Sequence, residues 1–288
     1  MLLSRLLRQA TRAMAGRAPG ARRAVSWFVA TVFLVAVSLG ATASVALGVV
    51  GGKTVSITAA PWTVVVREYG QQACTGVIID RLHILTAGHC VMSGDSAKPL
   101  PASDFTIEAG VSNFKHPLKS DHPQSRAVSA IRAMPGYIAA NKITSSNDNA
   151  AVGHDLAVLT LARPLDLDGD DARAAYLPST NTILPTNAAQ LVMAGYGDEK
   201  PTGYYENGTL NEVVKARVSI GCSTDQVLCM SMTTADICYG DSGSGAVEPG
   251  RRPTALGIAS ASSSCGPGIA DYVSLIAPAA LRFVKANI

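Results

Sequence analysis

A serine lies within a run of small residues, Gly240-Asp241-Ser242-Gly243, in a chain of 288 residues. Small neighbours let the backbone turn sharply and leave the hydroxyl of Ser242 accessible. A serine hydroxyl is a weak nucleophile by itself, so catalysis also needs a base and a group that orients the base. The sequence offers a candidate for each role, His89 and Asp155.

The surroundings of these two candidates leave their roles open. His89 lies where a strand-like run passes into a small-residue turn, Ala87-Gly88-His89-Cys90, a position that suits either a catalytic base or a structural histidine. Asp155 leads directly into the apolar run Leu156-Ala157-Val158, where a carboxylate is costly unless it is hydrogen-bonded. It could be a turn residue at the start of a strand, or a buried carboxylate that holds an imidazole in its working tautomer. Two further histidines, His116 and His122, lie beside prolines in a polar stretch, and we expect solvated loop residues there.

The composition predicts the kind of scaffold that must position these groups. The chain is 48% hydrophobic and 16% charged, which excludes a disordered protein. Val, Ile, Thr, Gly and Pro are plentiful and helical periodicity is rare after residue 50, so we expect an all-β body. The apolar residues near the carboxyl terminus predict one helix there.

The first 48 residues predict an export signal. They hold six of the 24 basic residues and none of the 21 acidic ones, followed by an apolar run and then small residues. Without this segment the chain is slightly acidic, so nothing indicates nucleic-acid binding. The pair Arg22-Arg23 could belong to a twin-arginine signal, and the uncharged residues 24–50 could instead be a retained membrane anchor.

The six cysteines all follow this segment, and an even number in an exported chain predicts three disulfides. Fifteen pairings are possible from the sequence alone. Zinc ligation is the alternative, but there is no Cys-x-x-Cys pair, and the only histidine beside a cysteine is His89. The cysteines are Cys74, Cys90, Cys222, Cys229, Cys238 and Cys265.

Three separated segments occur in the order His, Asp, Ser: Ala87-Gly88-His89-Cys90, Asp155-Leu156-Ala157-Val158 and Gly240-Asp241-Ser242-Gly243. With these flanks, the sequence resembles the trypsin/chymotrypsin family of serine endopeptidases, peptidase family S1, over about residues 49–288. The resemblance implies two six-stranded antiparallel Greek-key β-barrels and a C-terminal α-helix. Residues 49–165 would form the first barrel, with His89 and Asp155, and residues 166–288 the second, with Ser242 and the substrate pocket.

The resemblance also implies a mechanism. Ser242 would attack the scissile carbonyl, His89 would accept its proton, and Asp155 would orient His89. The backbone N–H groups of Gly240 and Ser242 would form the oxyanion hole.

Asp241 would have a separate role, because a buried carboxylate next to the nucleophile needs a cation. The resemblance supplies the free α-amino group of Val49, which cleavage after Gly48 would release. Ala46 and Gly48 are small, so signal peptidase itself could make this cut.

The resemblance places the base of the primary specificity pocket at Asp236, six residues before Ser242, where a carboxylate selects Arg or Lys. A surface Asp in a loop is the alternative. Ser260 and Gly268 match pocket residues of the family. Ser262 stands where the family has Gly and would narrow the mouth of the pocket, and Ala261 replaces a Trp.

The family's disulfide pairing would join Cys74 to Cys90, Cys222 to Cys229 and Cys238 to Cys265. No cofactor or metal is implied, and the residues after Glu108 do not form a convincing calcium loop. We expect a secreted monomer that acts on protein or peptide substrates and meets proteinaceous protease inhibitors. The alternatives are a non-catalytic binding protein of this fold and a membrane-anchored protease.

Overall fold

The computed structural model of the chain describes residues 52–94, 98–137, 142, 148–182, 190–198, 208–218, 226–232, 237–262, 265 and 268–288. The predicted export segment, Val49, Cys222 and Asp236 lie outside these residues. Within them, thirteen strands carry most of the regular structure.

The first six strands after the short β1 form an antiparallel barrel. They are β2 (Thr63–Glu68), β3 (Gln71–Ile78), β4 (His83–Thr86), β5 (Phe105–Ala109), β6 (Gln124–Ala133) and β7 (Ala157–Leu161). The barrel closes in the order β2-β3-β4-β7-β6-β5.

The remaining strands form a second antiparallel sheet. They are β8 (Gln190–Gly195), β9 (Asn211–Val218), β10 (Val227–Met232), β11 (Gly245–Glu248), β12 (Thr254–Ser262) and β13 (Gly268–Ser274). Their order is β9-β10-β13-β12-β11-β8, and β8 also pairs with β9, so the sheet returns on itself. The short β1 (Lys53–Thr54) pairs with the edge of β9. The predicted all-β, trypsin-like fold class is therefore confirmed.

Successive side chains of a strand point to opposite faces, and both faces of β2 are buried. On β2, Val64 and Val66 pack inside the first barrel, whereas Val65 between them packs into a separate core. That second core contains Val77 of β3 together with Val192 of β8, so it lies between the two sheets. The three consecutive valines of β2 are explained by this burial, because a strand that is covered on both faces is apolar throughout.

Helices are few and short in the described residues. The α-helix α1 (Asp148–Gly153) precedes β7, and α2 (Pro278–Lys285) follows β13. Pro278 opens α2 at the first turn, where its missing N–H costs nothing, and Leu281 and Val284 are buried. This is the C-terminal helix that the sequence predicted. No helix among the described residues combines the length and apolarity needed to cross a membrane.

Candidate active site

His89 and Asp155 emerge from the first barrel at the same edge. β4 ends at Thr86, which pairs with Ala157, the first residue of β7. In an antiparallel pair, the residues that follow one strand lie beside those that precede the other. His89, in the 3₁₀ turn Gly88–Cys90, therefore lies beside Asp155.

The carboxylate of Asp155 is 5% exposed and fully hydrogen-bonded. One oxygen accepts the backbone N–H of His89 at 2.7 Å, and the other lies 2.7 Å from Nδ1 of the His89 imidazole. The hydroxyl of Ser260 donates to that second oxygen, also at 2.7 Å. Three donors offset the cost of burying the charge. A proton on Nδ1 is held by Asp155, which leaves Nε2 as the basic nitrogen.

Two opposing effects set the basicity of His89. Burial of the imidazole disfavours its charged form, but the hydrogen bond to Asp155 and the charge of Asp155 together outweigh burial. The net result is that the pKa of His89 is raised above its ordinary value of 6.5. The side chain remains 35% exposed, so one side of the ring is open to a reactant.

Ser242 lies in the loop that precedes β11 of the second sheet, against the first barrel. Its carbonyl oxygen accepts the backbone N–H of Thr75 on β3 at 2.9 Å and lies 3.8 Å from Sγ of Cys90, the neighbour of His89. The next residue, Gly243, donates its N–H to Ala259, which precedes Ser260. The loop that carries Ser242 is therefore held at the junction where His89, Asp155 and Ser260 meet.

Gly240 has a backbone conformation that requires glycine. Its φ is +91°, and a Cβ there would lie 2.8 Å from Nε2 of Gln72. Among the described residues, the N–H groups of Gly240 and Ser242 donate to no acceptor. Both donors are thus available to bind developing negative charge.

The side chain of Asp241 points away from this junction and is completely buried. Its oxygens accept the N–H of Gly197 at 2.8 Å and the N–H of Cys238 at 3.0 Å. A Cβ at Gly195 or Gly197 would come within 2.1 or 2.4 Å of this carboxylate group. The two glycines that flank Tyr196 therefore make room for Asp241. Val49 is outside the described residues, so its pairing with Asp241 stays a prediction.

The pocket residues are only partly described. Asp236 lies outside the described residues, and Gly268 opens β13 opposite Met232. Ser262 is half-buried near the end of β12, where it pairs with Ala270. Ser260 binds the carboxylate of Asp155 in addition to any role in the pocket.

Among the described cysteines, the structure contains the disulfides Cys74–Cys90 and Cys238–Cys265. The pairing of Cys222 with Cys229 stays a prediction because Cys222 is not described. Ligand atoms of Cys74, His89 and Cys90 lie within 4.8 Å of one another, but the two sulfurs are bonded to each other and cannot serve as metal-binding thiolates.

Other polar residues with a predicted role are placed away from the junction. His116 and His122 are exposed. The carboxylate of Glu108, considered as a calcium ligand, instead accepts a hydrogen bond from Nε of Arg67 at 3.0 Å.

The sequence did not single out Thr75. Its hydroxyl is buried, accepts the N–H of Tyr196 at 3.3 Å and donates to the carbonyl of Gly240 at 2.8 Å. A threonine in a strand is ordinary, because β-branched residues favour strands, so no local signal marked it.

Comparisons with known proteins agree with this geometry. The profile of the family described as Trypsin matches residues 49–279. Trypsin of Phaedon cochleariae is 31% identical over 244 residues, which cover 79% of this chain and 85% of that protein. Trypsin iota of Drosophila melanogaster is 28% identical over 277 residues, 88% of this chain and 96% of that protein.

A solved structure, human heparin binding protein, shares the fold with a TM-score of 0.66 and 21% identity, over 83% of this chain and 96% of that one. The match to the family profile extends over most of the sequence, and both barrels are present. This chain is a member of the trypsin family.

Proposed function

We propose that this protein is a serine endopeptidase in which Ser242 is the nucleophile, His89 the general base and Asp155 the group that orients the base. The observation that carries the proposal is the double attachment of His89 to the buried carboxylate of Asp155, at the junction that also holds Ser242. Relatives named as trypsins support a proteolytic activity.

The reaction would have two stages. In the first, Oγ of Ser242 attacks the carbonyl carbon of the peptide bond while its proton passes to Nε2 of His89. The tetrahedral intermediate collapses when His89 protonates the leaving amine, which gives an acyl-enzyme. In the second, water gives a proton to His89 and attacks the ester carbon. The bond between this carbon and Oγ then breaks, His89 returns the proton to Oγ of Ser242, and the carboxylic acid product leaves.

The N–H groups of Gly240 and Ser242 would bind the oxyanion in both stages. Removal of one oxyanion donor typically costs about 10²–10³-fold in kcat. Asp155 stabilises the imidazolium of His89 while it holds the proton, which is consistent with the raised pKa of His89.

The test of this function is covalent labelling. A fluorophosphonate should label the wild-type protein at one site and abolish peptide hydrolysis, whereas Ser242→Ala should neither be labelled nor hydrolyse peptides. Absence of both activities in the wild-type protein would contradict the proposal. It would favour a non-catalytic binding protein of this fold; the human protein with the same fold is named for binding heparin.

We further propose cleavage after Arg or Lys, with Asp236 as the pocket carboxylate and Ser260 and Gly268 lining the pocket. Leaving such a carboxylate without a basic partner is costly, so it selects a cationic side chain. A peptide-library profile of the wild type should show Arg and Lys before the scissile bond, and Asp236→Ser should abolish that preference. Survival of the preference in this variant would contradict the assignment, and the Arg-to-Lys ratio would report the effect of Ser262.

Export and activation form the last part of the proposal. The protein would be secreted, and the amine released at Val49 would pair with the buried Asp241. Amino-terminal sequencing of the secreted protein should begin at Val49. A start at Ser44 or Leu47 would show that further trimming is needed, and recovery of the intact chain with membranes would indicate an anchored protease. Protein substrates and proteinaceous inhibitors would be its partners.

A further inference from the structure

We infer that Thr75 is a positioning residue for the oxyanion hole: its hydroxyl and its backbone N–H together fix the loop that carries both oxyanion donors. The inference rests on the proposed function, because it concerns the same reaction. Thr75 itself touches neither substrate nor nucleophile in this role.

Thr75 binds the carbonyl groups of both donor residues. Its hydroxyl donates to the carbonyl of Gly240 at 2.8 Å, and its backbone N–H donates to the carbonyl of Ser242 at 2.9 Å. A hydroxyl has one proton, and Thr75 gives it to Gly240. The oxygen of the same hydroxyl accepts the N–H of Tyr196 at 3.3 Å. Thr75 is 0% exposed, so its hydroxyl and N–H have no water as an alternative partner.

The bond to Gly240 matters because the backbone of a glycine can adopt many combinations of φ and ψ. The N–H that would bind the oxyanion belongs to the peptide group joining Tyr239 and Gly240, whose carbonyl accepts the N–H of Asp198 at 2.8 Å. In a trans peptide group the C=O and N–H point in opposite directions, so Asp198 sets the direction of the Gly240 N–H. Thr75 holds the following peptide group, and the two bonds together hold Gly240 at φ +91°.

Gln72, three residues before Thr75 on β3, lies against the same loop. Its Nε2 donates to the carbonyl of Tyr196 at 2.8 Å and lies 2.8 Å from where a Cβ of Gly240 would be. The first barrel thus contacts Gly240 through two side chains of a single strand. Loss of the Thr75 hydroxyl would remove this donor from the Gly240 carbonyl and would let the peptide group turn.

The experiment compares Thr75→Val, which removes the hydroxyl at nearly constant volume, with Thr75→Ser, which keeps it. Active sites are counted by the end point of fluorophosphonate labelling, and kcat is expressed for each labelled site. We expect Thr75→Val to lower kcat by on the order of tenfold or more, with KM changed less than about twofold. A peptide trifluoromethyl ketone, which forms a tetrahedral adduct, should bind more weakly by the same factor. Thr75→Ser should restore kcat to within about threefold of wild type.

Thr63→Val is the matched control. The hydroxyl of Thr63, on β2 of the same barrel, is 1% exposed and has no hydrogen-bond partner among the described residues. Its removal should leave kcat unchanged. Wild-type kcat for each labelled site in Thr75→Val, even with a lowered melting temperature, would overturn the inference, as would a Thr75→Ser variant as impaired as Thr75→Val.

If Thr75→Val does not fold, Thr75→Ala is measured instead, because it removes the same hydroxyl and keeps the backbone N–H that binds Ser242. A fall in kcat for each labelled site of about threefold or more at unchanged KM supports the inference, and wild-type kcat overturns it. The proposed function has a separate outcome: it fails only if the wild-type protein is neither labelled nor active.

Discussion

Asp155 binds His89 through both carboxylate oxygens, one to the backbone N–H and one to ring Nδ1, each at 2.7 Å. The backbone bond fixes the turn and the ring bond fixes the side chain, so the imidazole has little freedom to rotate. The carboxylate of Asp155 therefore fixes the position of His89 and also favours a positive charge on its ring.

Replacing Asp155 with Asn tests this support. An amide can donate to Nδ1, which would move the ring proton to Nε2 and leave the base in the wrong tautomer. We expect kcat to fall by about 10⁴-fold with an unchanged far-ultraviolet circular dichroism spectrum. Asp121→Asn is the matched control, because Asp121 is 8% exposed and accepts bonds from Ser112 instead of His89. More than about a tenth of wild-type kcat in Asp155→Asn would argue against a catalytic role for the pair.

The pH dependence of kcat/KM follows from the raised pKa of His89. Only the neutral imidazole can accept the proton of Ser242, so activity should be lost as pH falls through this pKa. Because the hydrogen bond and charge of Asp155 raise that pKa, the acid limb should have its midpoint above about 6.5.

The residual activity of Asp155→Asn gives the complementary measurement. In this variant the negative charge is absent and the amide favours the neutral ring, so neither effect opposes burial, which lowers the pKa of His89. The acid limb of the variant should therefore move to lower pH. A limb at the wild-type position would show that another group titrates.

Gly243→Ala should disable the loop that carries Ser242. Gly243 has φ +84°, and a Cβ there would lie 2.1 Å from Oγ1 of Thr86 and 2.3 Å from the carbonyl of Thr75. Because a backbone carbonyl cannot move aside easily, the loop must shift away from the first barrel. We expect loss of fluorophosphonate labelling by 10²-fold or more in rate, on the order of the loss of an oxyanion donor.

The control for this variant is Gly169→Ala, where a Cβ would meet nothing within 4 Å. Labelling at the wild-type rate in Gly169→Ala and its loss in Gly243→Ala would tie the effect to the contact with Thr75 and Thr86. Equal labelling of both variants would contradict the described packing of the loop.

The fold class and the three catalytic candidates could be predicted because their signals are local. Each of His89, Asp155 and Ser242 is identified by three or four flanking residues, and plentiful Val, Ile and Thr with little helical periodicity predict a β-rich body. The contacts that complete the site are not local. Ser260 reaches Asp155 across 105 residues, and Thr75 reaches Gly240 across 165. No sequence period connects such positions, so these contacts become visible only once the two barrels are packed together.

The pairing of β1 with β9 has the same origin. The resemblance assigned residues 49–165 to the first barrel, yet Lys53 and Thr54 pair with Glu212 and Asn211 of the second sheet. A strand of two residues carries too little pattern to predict its partner. The position of β1 depends on its pairing with β9, which is far away in the sequence, and the residues around β1 do not indicate that partner.

The hydroxyl of the buried Tyr196 links the second sheet to the first barrel. Tyr196 is 0% exposed, donates to the carbonyl of Val111 at 2.6 Å and meets Phe114 edge to face at 5.9 Å. Burial raises the pKa of Tyr196 well above 10.0, so the phenol stays protonated and remains a donor at neutral pH. It therefore joins the segment that follows β8 of the second sheet to the loop after β5 of the first barrel.

Tyr196→Phe should remove this link while it keeps the ring. The carbonyl of Val111 would lose its buried donor, so we expect a loss of about 1–3 kcal/mol in the free energy of unfolding, measured by urea titration. Tyr176→Phe is the matched control, because Tyr176 is 46% exposed and its ring contact with Arg252 does not need the hydroxyl. Because Thr75 binds Tyr196 only through its backbone N–H, kcat for each labelled site should stay near the wild-type value. A large fall in kcat at unchanged stability would instead mean that the hydroxyl of Tyr196 helps to position the oxyanion loop.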